Sequence, residues 1–335
     1  MRNALNNFQQ VRLPRCRPLP VRPLRIGLRA LVACALLAVL AAGCAVSQRR
    51  AVPPAQIRPA QQATAEQLIA AYDEQARAVH SVNAAVAMSP VAGSTYSGLI
   101  QEYRDVGGFI LAVQPGKIRI IGQAPVLAKN IFDMTSDGQV FRIFIPSKNK
   151  FLVGPTDLER PASQPIENLR PQHVLDALFW PEFPAGAPVL FEEAEAAPER
   201  YYVLTVVRQA GAALEIARKV WFDRADLRVS RVQIYGPGGR LDSDIAYSDW
   251  QPATAGGPAA EPGAASATVS SNAAGPLFPR RIHIRRPQQD YELTVSVTRL
   301  SLNGEISDDR FSLAQPPGTE LVQLGNTALP PQEQP

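Results

Sequence analysis

The stretch FDMTSDGQVFRIFIPSKNKFLVG, positions 132–154, admits two readings. It holds Asp133 and Asp137 four residues apart, then Gly138 and the basic residues Arg142, Lys148 and Lys150, so it suits either a metal or phosphate loop or the turns of a folded sheet. A calcium loop of the EF-hand kind needs acidic or amide residues at alternate positions before its glycine and a glutamate at its twelfth position. Asp133, Thr135, Asp137 and Gly138 meet that pattern only in part. A phosphate loop needs more glycines and a helix directly after them. What the stretch does show is a period of two, with Phe141, Ile143 and Ile145 opposite Arg142. Asp137-Gly138 lies between two apolar alternating runs, the strongest short hairpin signal. Ser147-Lys148-Asn149 turns the next pair, and the stretch reads as sheet.

The same period runs through most of the chain after Ser81. KIRIIG sets Ile118 and Ile120 opposite Lys117 and Arg119, and DYELTVSVTRL alternates Tyr291, Leu293, Val295 and Val297 with Glu292, Thr294, Ser296 and Thr298. One apolar and one wetted face marks antiparallel strands. They are expected near 81–88, 96–104, 107–114, 117–122, 130–136, 139–146, 149–153, 200–208, 214–222, 228–236, 241–249, 279–285 and 290–302, some merging to leave about ten or eleven. Two segments read as helices instead. TAEQLIAAYDEQARAV opens with Thr64 and Gln67 in capping-box spacing and repeats Leu68, Ile69, Tyr72, Ala76 and Val79 on one side. RPQHVLDALF begins with Pro171 at a favourable first helical position and gathers Val174, Leu175, Leu178 and Phe179. The order predicts a mainly β fold with some α: a strongly curved antiparallel sheet whose concave face is covered by helices.

The first 43 residues stand apart in composition. They carry seven arginines and no acid, and taking those seven from the chain's 34 basic residues leaves 27 against 30 acidic ones. The remainder has no general attraction for nucleic acid. From Arg29 to Cys44 the sequence RALVACALLAVLAAGC has a basic start, an apolar run too short to span a bilayer of roughly 30 Å, and small residues before a cysteine. That is the layout of a secretory signal, and Leu40-Ala41-Ala42-Gly43-Cys44 resembles a bacterial lipobox, with Ala41 where leucine is usual. The alternative is an ordinary cleaved signal, and the four prolines upstream leave a start downstream of Met1 open. The expected division is a lipoprotein signal at 1–43, a lipidated Cys44 with a flexible tether to 63, one domain at 64–325 and a disordered tail at 326–335. Cys16 and Cys34 leave with the signal, so the core holds the fold without disulfides. Two or more acyl chains on Cys44 would anchor the chain almost permanently, at about 0.8 kcal/mol per buried methylene. Ala45 follows the cysteine, rather than the aspartate that retains lipoproteins in the inner membrane of well-studied Gram-negative systems. This points to an outer-membrane lipoprotein on the periplasmic side.

Sequence offers no catalytic constellation. His80, His173 and His283 lack metal-ligand spacing. No G-x-S-x-G, HExxH or phosphate-loop motif occurs, and Cys44 is the sole cysteine after the signal. Asp242 and Asp244, beside a Gly-Gly turn, read as a solvated strand edge rather than a metal site. No enzyme activity, cofactor, metal or catalytic residue is expected.

Three blocks carry a family resemblance: KIRIIGQAPVLAKNIFDMTSDGQVFRIFIPSKNKFLVG; FPRRIHI followed by YELTVSVTRLSLN; and DDRFSLAQPPGTELVQL. From about 68 to 324 the chain resembles the LolA/LolB-like outer-membrane lipoprotein carrier superfamily, in particular an uncharacterised lipoprotein branch of it. The resemblance implies an incomplete β-barrel that holds acyl chains in an apolar cavity under helical lids, and a role in outer-membrane lipid or lipoprotein sorting or transfer. The chain departs from it in a Pro/Ala/Gly/Ser-rich insertion at 251–276, expected to be a disordered loop. The implied partners are the membrane, through Cys44, and a lipid or lipoprotein. The other function the fold suits is a structural or sensing lipoprotein with a filled core and an envelope protein as partner.

The candidate cavity or lip residues are Leu68, Tyr72, Phe141, Ile143, Leu178, Phe179 and Trp180. Phe109, Phe141 and Phe144 could line a cavity or fill it, and Leu178, Phe179, Trp180 and Phe183 in LFWPEFP could form a plug or a lip touching membrane or ligand. In PRRIHIRRP, Arg281, His283 and Arg285 share one strand face while Ile282 and Ile284 enter the core. That basic face is a wetted sheet surface or a stripe for anionic headgroups, Arg281 and Arg285 foremost.

Overall fold

The computed structural model describes residues 58–93, 101–102, 106–124, 129–158, 170–255 and 274–325. The chain divides into two compact units, Met1–Pro54 and Ala55–Pro335, and every described residue belongs to the second. The signal, Cys44 and the tail at 326–335 lie outside the described residues.

Two helices, α1 (Ala65–Ala78) and α2 (Pro171–Leu178), pack on one sheet. Its strands are β1 (Ser81–Ala92), β2 (Gln101–Glu102), β3 (Val106–Val113), β4 (Lys117–Gln123), β5 (Asn130–Asp137), β6 (Val140–Ile145) and β7 (Lys150–Pro155), followed by β8 (Val189–Ala196), β9 (Glu199–Ala210), β10 (Ala213–Asp223), β11 (Arg228–Tyr235), β12 (Leu241–Ala255), β13 (Ala274–Arg286), β14 (Tyr291–Leu302) and β15 (Glu320–Gln323). The order across the sheet is β15-β7-β6-β5-β4-β3-β1-β14-β13-β12-β11-β10-β9-β8, with β2 beside β1. The two ends of that path, β15 and β8, do not pair, so the curved sheet is an unclosed barrel. All neighbours are antiparallel except β15 with β7 and a short parallel touch of β12 on β14.

The opening stretch is the β5-β6-β7 meander. Gly138 takes φ +93° in the β5–β6 turn, and a side chain at Gly116 would come within 2.7 Å of the Gly138 Cα, so both glycines are required by the close approach of two turns. Asp137 Oδ1 accepts from the backbone N–H of Gln139 at 2.9 Å and of Val140 at 2.8 Å, which closes the turn. Both Asp133 oxygens are taken by Arg119, at 3.1 and 2.7 Å. Neither carboxylate is left for a metal, and among the described residues no group of three His, Cys, Asp or Glu is arranged to hold one.

The sequence reading of α1 holds: Thr64 Oγ1 accepts from the Gln67 N–H, and the Gln67 side chain accepts from the Thr64 N–H. Leu68, Tyr72, Ala76 and Val79 are buried, with Ile69 packed at the margin. Inward residues of strands on both flanks of the sheet join one core, including Val82, Ile118, Met134, Phe141, Val220, Ile245 and Leu293. A second cluster on the outer face gathers Val140, Phe151 and Val153 with Phe144 and Leu313.

Several expectations change. Phe144 belongs to that outer cluster, and Phe109 is only half-buried, because period two turns each away from the face that carries Phe141 and Ile110. The insertion is shorter than read: β12 runs on to Ala255 and β13 begins at Ala274, with Gln251 opposite Phe278 and Pro252 opposite Leu277. Of the strand expected at 96–104, only Gln101–Glu102 falls among the described strand residues. Arg58 to Ala63, read as tether, is fastened to the domain: Arg58 pairs with Asp223 at 2.7 Å, the Gln61 N–H donates to the Arg224 carbonyl, and the Tyr202 hydroxyl donates to Gln62. β8 and β15 were not foreseen.

Candidate ligand-binding cleft

A cleft opens where α1 crosses the sheet. Its walls are Ala71, Tyr72 and Gln75 of α1, Trp180 just after α2, and Phe222, Leu227, Arg228, Val229, Trp250 and Leu277 from β10 to β13, around a volume of about 130 Å³. Typical small-molecule pockets hold roughly 300–1,000 Å³, while a dry apolar cavity of about 150 Å³ takes up benzene. As it stands the cleft admits the end of an apolar chain rather than a whole one. A second apolar gap, under Ala76, Val79, Leu178 and Phe179, has about 10 Å³ and scarcely fits a water.

A hydrogen-bonded aromatic frame fixes these walls. Trp180 stacks on Tyr72 at 5.2 Å and meets Trp250 edge-on at 5.9 Å. Its Nε1 donates to the Tyr247 hydroxyl at 2.9 Å, and that hydroxyl donates to the Ala177 carbonyl at 3.0 Å. Burial drives the Tyr72 hydroxyl up to about 12 and Tyr247 well above its ordinary value, so both stay protonated.

Residues 181–184 are pinned over this frame by Arg218. The buried guanidinium donates from Nη1 to the Pro181 carbonyl at 2.7 Å and the Tyr72 hydroxyl at 3.2 Å, and from Nη2 to the Glu182 carbonyl at 3.2 Å. It lies over the rings of Tyr72 and Phe183, at 5.3 and 5.0 Å. From α1, Asp73 accepts the Phe183 N–H at 2.8 Å, and Arg77 pairs with Glu182 at 3.1 Å.

The sequence candidates divide here. Tyr72 and Trp180 line the cleft; Leu178 and Phe179 border the small gap. Leu68, Phe141 and Ile143 lie in the packed core away from the cleft, with Arg170 over the Phe141 ring at 4.5 Å. Of LFWPEFP, Leu178, Phe179 and Trp180 are buried in the core with Phe183 packed against it, while Pro181, Glu182 and Pro184 are exposed. Sequence reasoning missed Phe222, Leu227, Val229, Trp250 and Leu277. The one usable signal was Trp250 and Leu277 flanking the Pro/Ala/Gly-rich insertion.

The basic face of β13 is more occupied than its sequence suggests. Asp244 is buried, not solvated: Arg231 holds it in two bonds at 2.6 and 2.5 Å and Arg285 adds a third at 2.9 Å. Burial raises its carboxyl, but the two arginines outweigh that and leave its pKa below the ordinary value. Arg281 stays exposed, and His283 bonds Thr294 with Glu292 at 3.4 Å.

No protein-family model and no curated protein matches the chain. Among solved structures it is similar to a LolA superfamily protein from Nitrosomonas europaea, at 14% identity and TM-score 0.41, covering 75% of this chain and 99% of that one. It is similar to a DUF1329 family protein from Desulfovibrio piger, at 12% identity and TM-score 0.43, covering 73% and 94%. A third is an outer membrane lipoprotein-sorting protein domain from Vibrio parahaemolyticus, at 10% identity and TM-score 0.41, covering 74% and 97%. At TM-scores below 0.5 these likenesses assign no ligand and no role to this chain. No helix among the described residues is long and apolar enough to cross a membrane.

Proposed function

We propose that this chain is a membrane-anchored, non-catalytic binding protein that takes the tail of a lipid or an acylated protein into the cleft between α1 and the sheet. The cleft carries the reading: two tryptophans and a phenylalanine stand with aliphatic side chains around unfilled space, and hydrogen bonds through Tyr247 fix Trp180 in its wall. A 16-carbon chain leaving water contributes on the order of 12 kcal/mol, enough to displace the 181–184 segment if the whole chain enters. Lipidation at Cys44 would hold the domain at the periplasmic face of the outer membrane, at the receiving end of lipid or lipoprotein transfer, with Arg281 available to anionic headgroups. Cys44→Ser should abolish labelling by an alkyne fatty acid; label persisting on the serine variant would remove the anchor from this proposal.

The deciding experiment is mass spectrometry of lipids extracted from the purified full chain, with tryptophan emission followed as fatty acid is added. The expected result is co-purifying lipid near one per chain and a blue shift. A chain that carries no lipid and shows no shift sinks the reading. One observation favours a protein partner instead: most of the inner face is packed, while the edge strand β8, paired only with β9, exposes Leu190 at 61% and Phe191 at 44%. A lipid-free chain would turn attention to that edge.

A further inference from the structure

We infer that the cleft selects a single-chain amphiphile with an anionic head, the head meeting Arg228 at the rim while the tail lies against Trp180, Trp250 and Phe222. The inference rests on the tail-binding reading above and adds the head. Arg228 is the one charged residue among the ten described residues that line the cleft. Its side chain is partly exposed, and its nearest carboxylate oxygen among the described residues, on Asp226, is 3.8 Å away. Charge-assisted bonds between arginine and carboxylate run at about 2.7–2.9 Å, and other arginines of the molecule reach that: Arg119 on Asp133 at 2.7 Å, Arg58 on Asp223 at 2.7 Å, Arg285 on Asp244 at 2.9 Å. Asp226 is committed elsewhere, its Oδ1 accepting the Arg228 backbone N–H at 3.1 Å in the β10–β11 turn and its Oδ2 also facing Arg58 at 3.9 Å.

The guanidinium at the rim therefore keeps donors for an incoming anion. A planar fork of N–H groups matches a carboxylate or a phosphate, and apolar walls strengthen its attraction by lowering the local dielectric. Of the other polar wall groups, Gln75 spends its amide N–H on the Leu277 carbonyl at 2.9 Å and the Tyr72 hydroxyl accepts from Arg218 at 3.2 Å. Tail and head are thus read by different side chains of one cleft, and they separate experimentally.

The test titrates the purified full chain with octanoate, octyl phosphate and octanol, three probes with one tail and different heads, followed by tryptophan emission and calorimetry. Trp180 and Trp250, two of the three tryptophans, report directly from the wall. Octanoate, octyl phosphate or both should bind at least about tenfold more tightly than octanol, as expected for a hydrogen bond to a charged group. Which anion leads identifies a free fatty acid or a phosphate headgroup as the source. Arg228→Gln should bring the anions down to the affinity of octanol without changing octanol itself, and Arg228→Lys should keep part of the preference. Octanol binding as tightly as both anions, or an anion preference that survives Arg228→Gln, overturns the inference and leaves the tail-binding reading intact. Failure of all three probes to bind overturns both.

Discussion

The aromatic C-terminal end of α2 and the titratable face that starts at its N-terminal end are held by opposite chemistry. Its C-terminal end delivers Leu178, Phe179 and Trp180 into an aromatic frame in which Trp180 and Tyr247 satisfy one another and the Ala177 carbonyl. From its N-terminal end a titratable face runs along the helix: the Gln172 Oε1 is buried without a partner, His173 is hydrogen-bonded to Tyr291, and Asp176, one turn on, faces Arg286 and Gln172. Burial, then the charges of Arg286 and Arg170, push the His173 ring well below its ordinary pKa. Burial lifts Asp176 to about 6 and Tyr291 higher still. The aromatic end gains stability from fit. The titratable face carries an electrostatic cost that neutral pH maintains, so one short helix both secures the cleft wall and holds a reserve of instability.

The largest expected effect is at the aromatic end. Trp180→Ala should cost about 3–5 kcal/mol, the range for deleting a large buried aromatic, because stacking on Tyr72, the edge contact with Trp250 and the bond to Tyr247 go together. Urea midpoints at constant slope measure it. A loss below about 1 kcal/mol would show the frame to be ornamental and remove the contrast between that end and the titratable face.

On the titratable face the expected effect is smaller and changes with pH. Folding raises the Asp176 pKa from 3.8 to about 6, so between those values the folded chain holds the proton more tightly than the unfolded one. The stability this confers is complete below about pH 4 and lost as pH rises through 6. Asp176→Asn, which cannot ionise, should therefore be more stable than the parent by on the order of 2 kcal/mol at pH 7.5, with little difference near pH 4. His173 acts in the reverse sense: its folded pKa is lowered, so its contribution is full above about pH 6.5 and fades as pH falls. The parent profile mixes the two, and the difference between parent and Asn variant isolates Asp176. An advantage equal at both pH values would mean that the carboxyl is not paying a burial cost.

How much of this was legible in the sequence follows from what period and spacing encode. Asp137-Gly138 announced its hairpin, and Thr64 with Gln67 announced the start of α1, because each is decided within a few residues. Tyr72 and Trp180 were readable as apolar groups gathered at helix positions, though not as neighbours. β8 was hidden because Glu192, Glu193 and Glu195 interrupt its alternation, which an edge strand with one partner tolerates. Arg218 follows the alternation that puts Val220 and Phe222 inward, in one unbroken register against Val206, Leu204 and Tyr202 of β9. A basic residue reads as wetted even at an inward position, because the sequence does not show the Pro181 and Glu182 carbonyls that accept its N–H groups. The cleft itself joins α1 to four strands far away in the chain, and no local pattern records such a meeting.

The smallest expected effect carries the same contrast, held against free, to the outer face of β13. Arg281 and Arg285 were equivalent in sequence, both alternating with the inward Ile282 and Ile284. Both are exposed, but Arg285 bonds the buried Asp244 at 2.9 Å, whereas Arg281 lies between Ser248 and Ser296 on the neighbouring strands. Arg285→Ser removes one of three bonds to a carboxylate that Arg231 still holds in a fork, so the loss should be about 0.5–1 kcal/mol rather than the several expected when a buried charge loses its last partner. Arg281→Ser should stay within about 0.5 kcal/mol of the parent. Thermal unfolding of both variants in low and high salt gives the comparison. The Arg285 deficit should shrink only slightly in 0.5 M salt, since a buried carboxylate is screened less than an exposed one. If the two variants prove equally stable, the Asp244 bond contributes nothing beyond solvation, and the two arginines are as interchangeable in the folded chain as their alternation in the sequence makes them look.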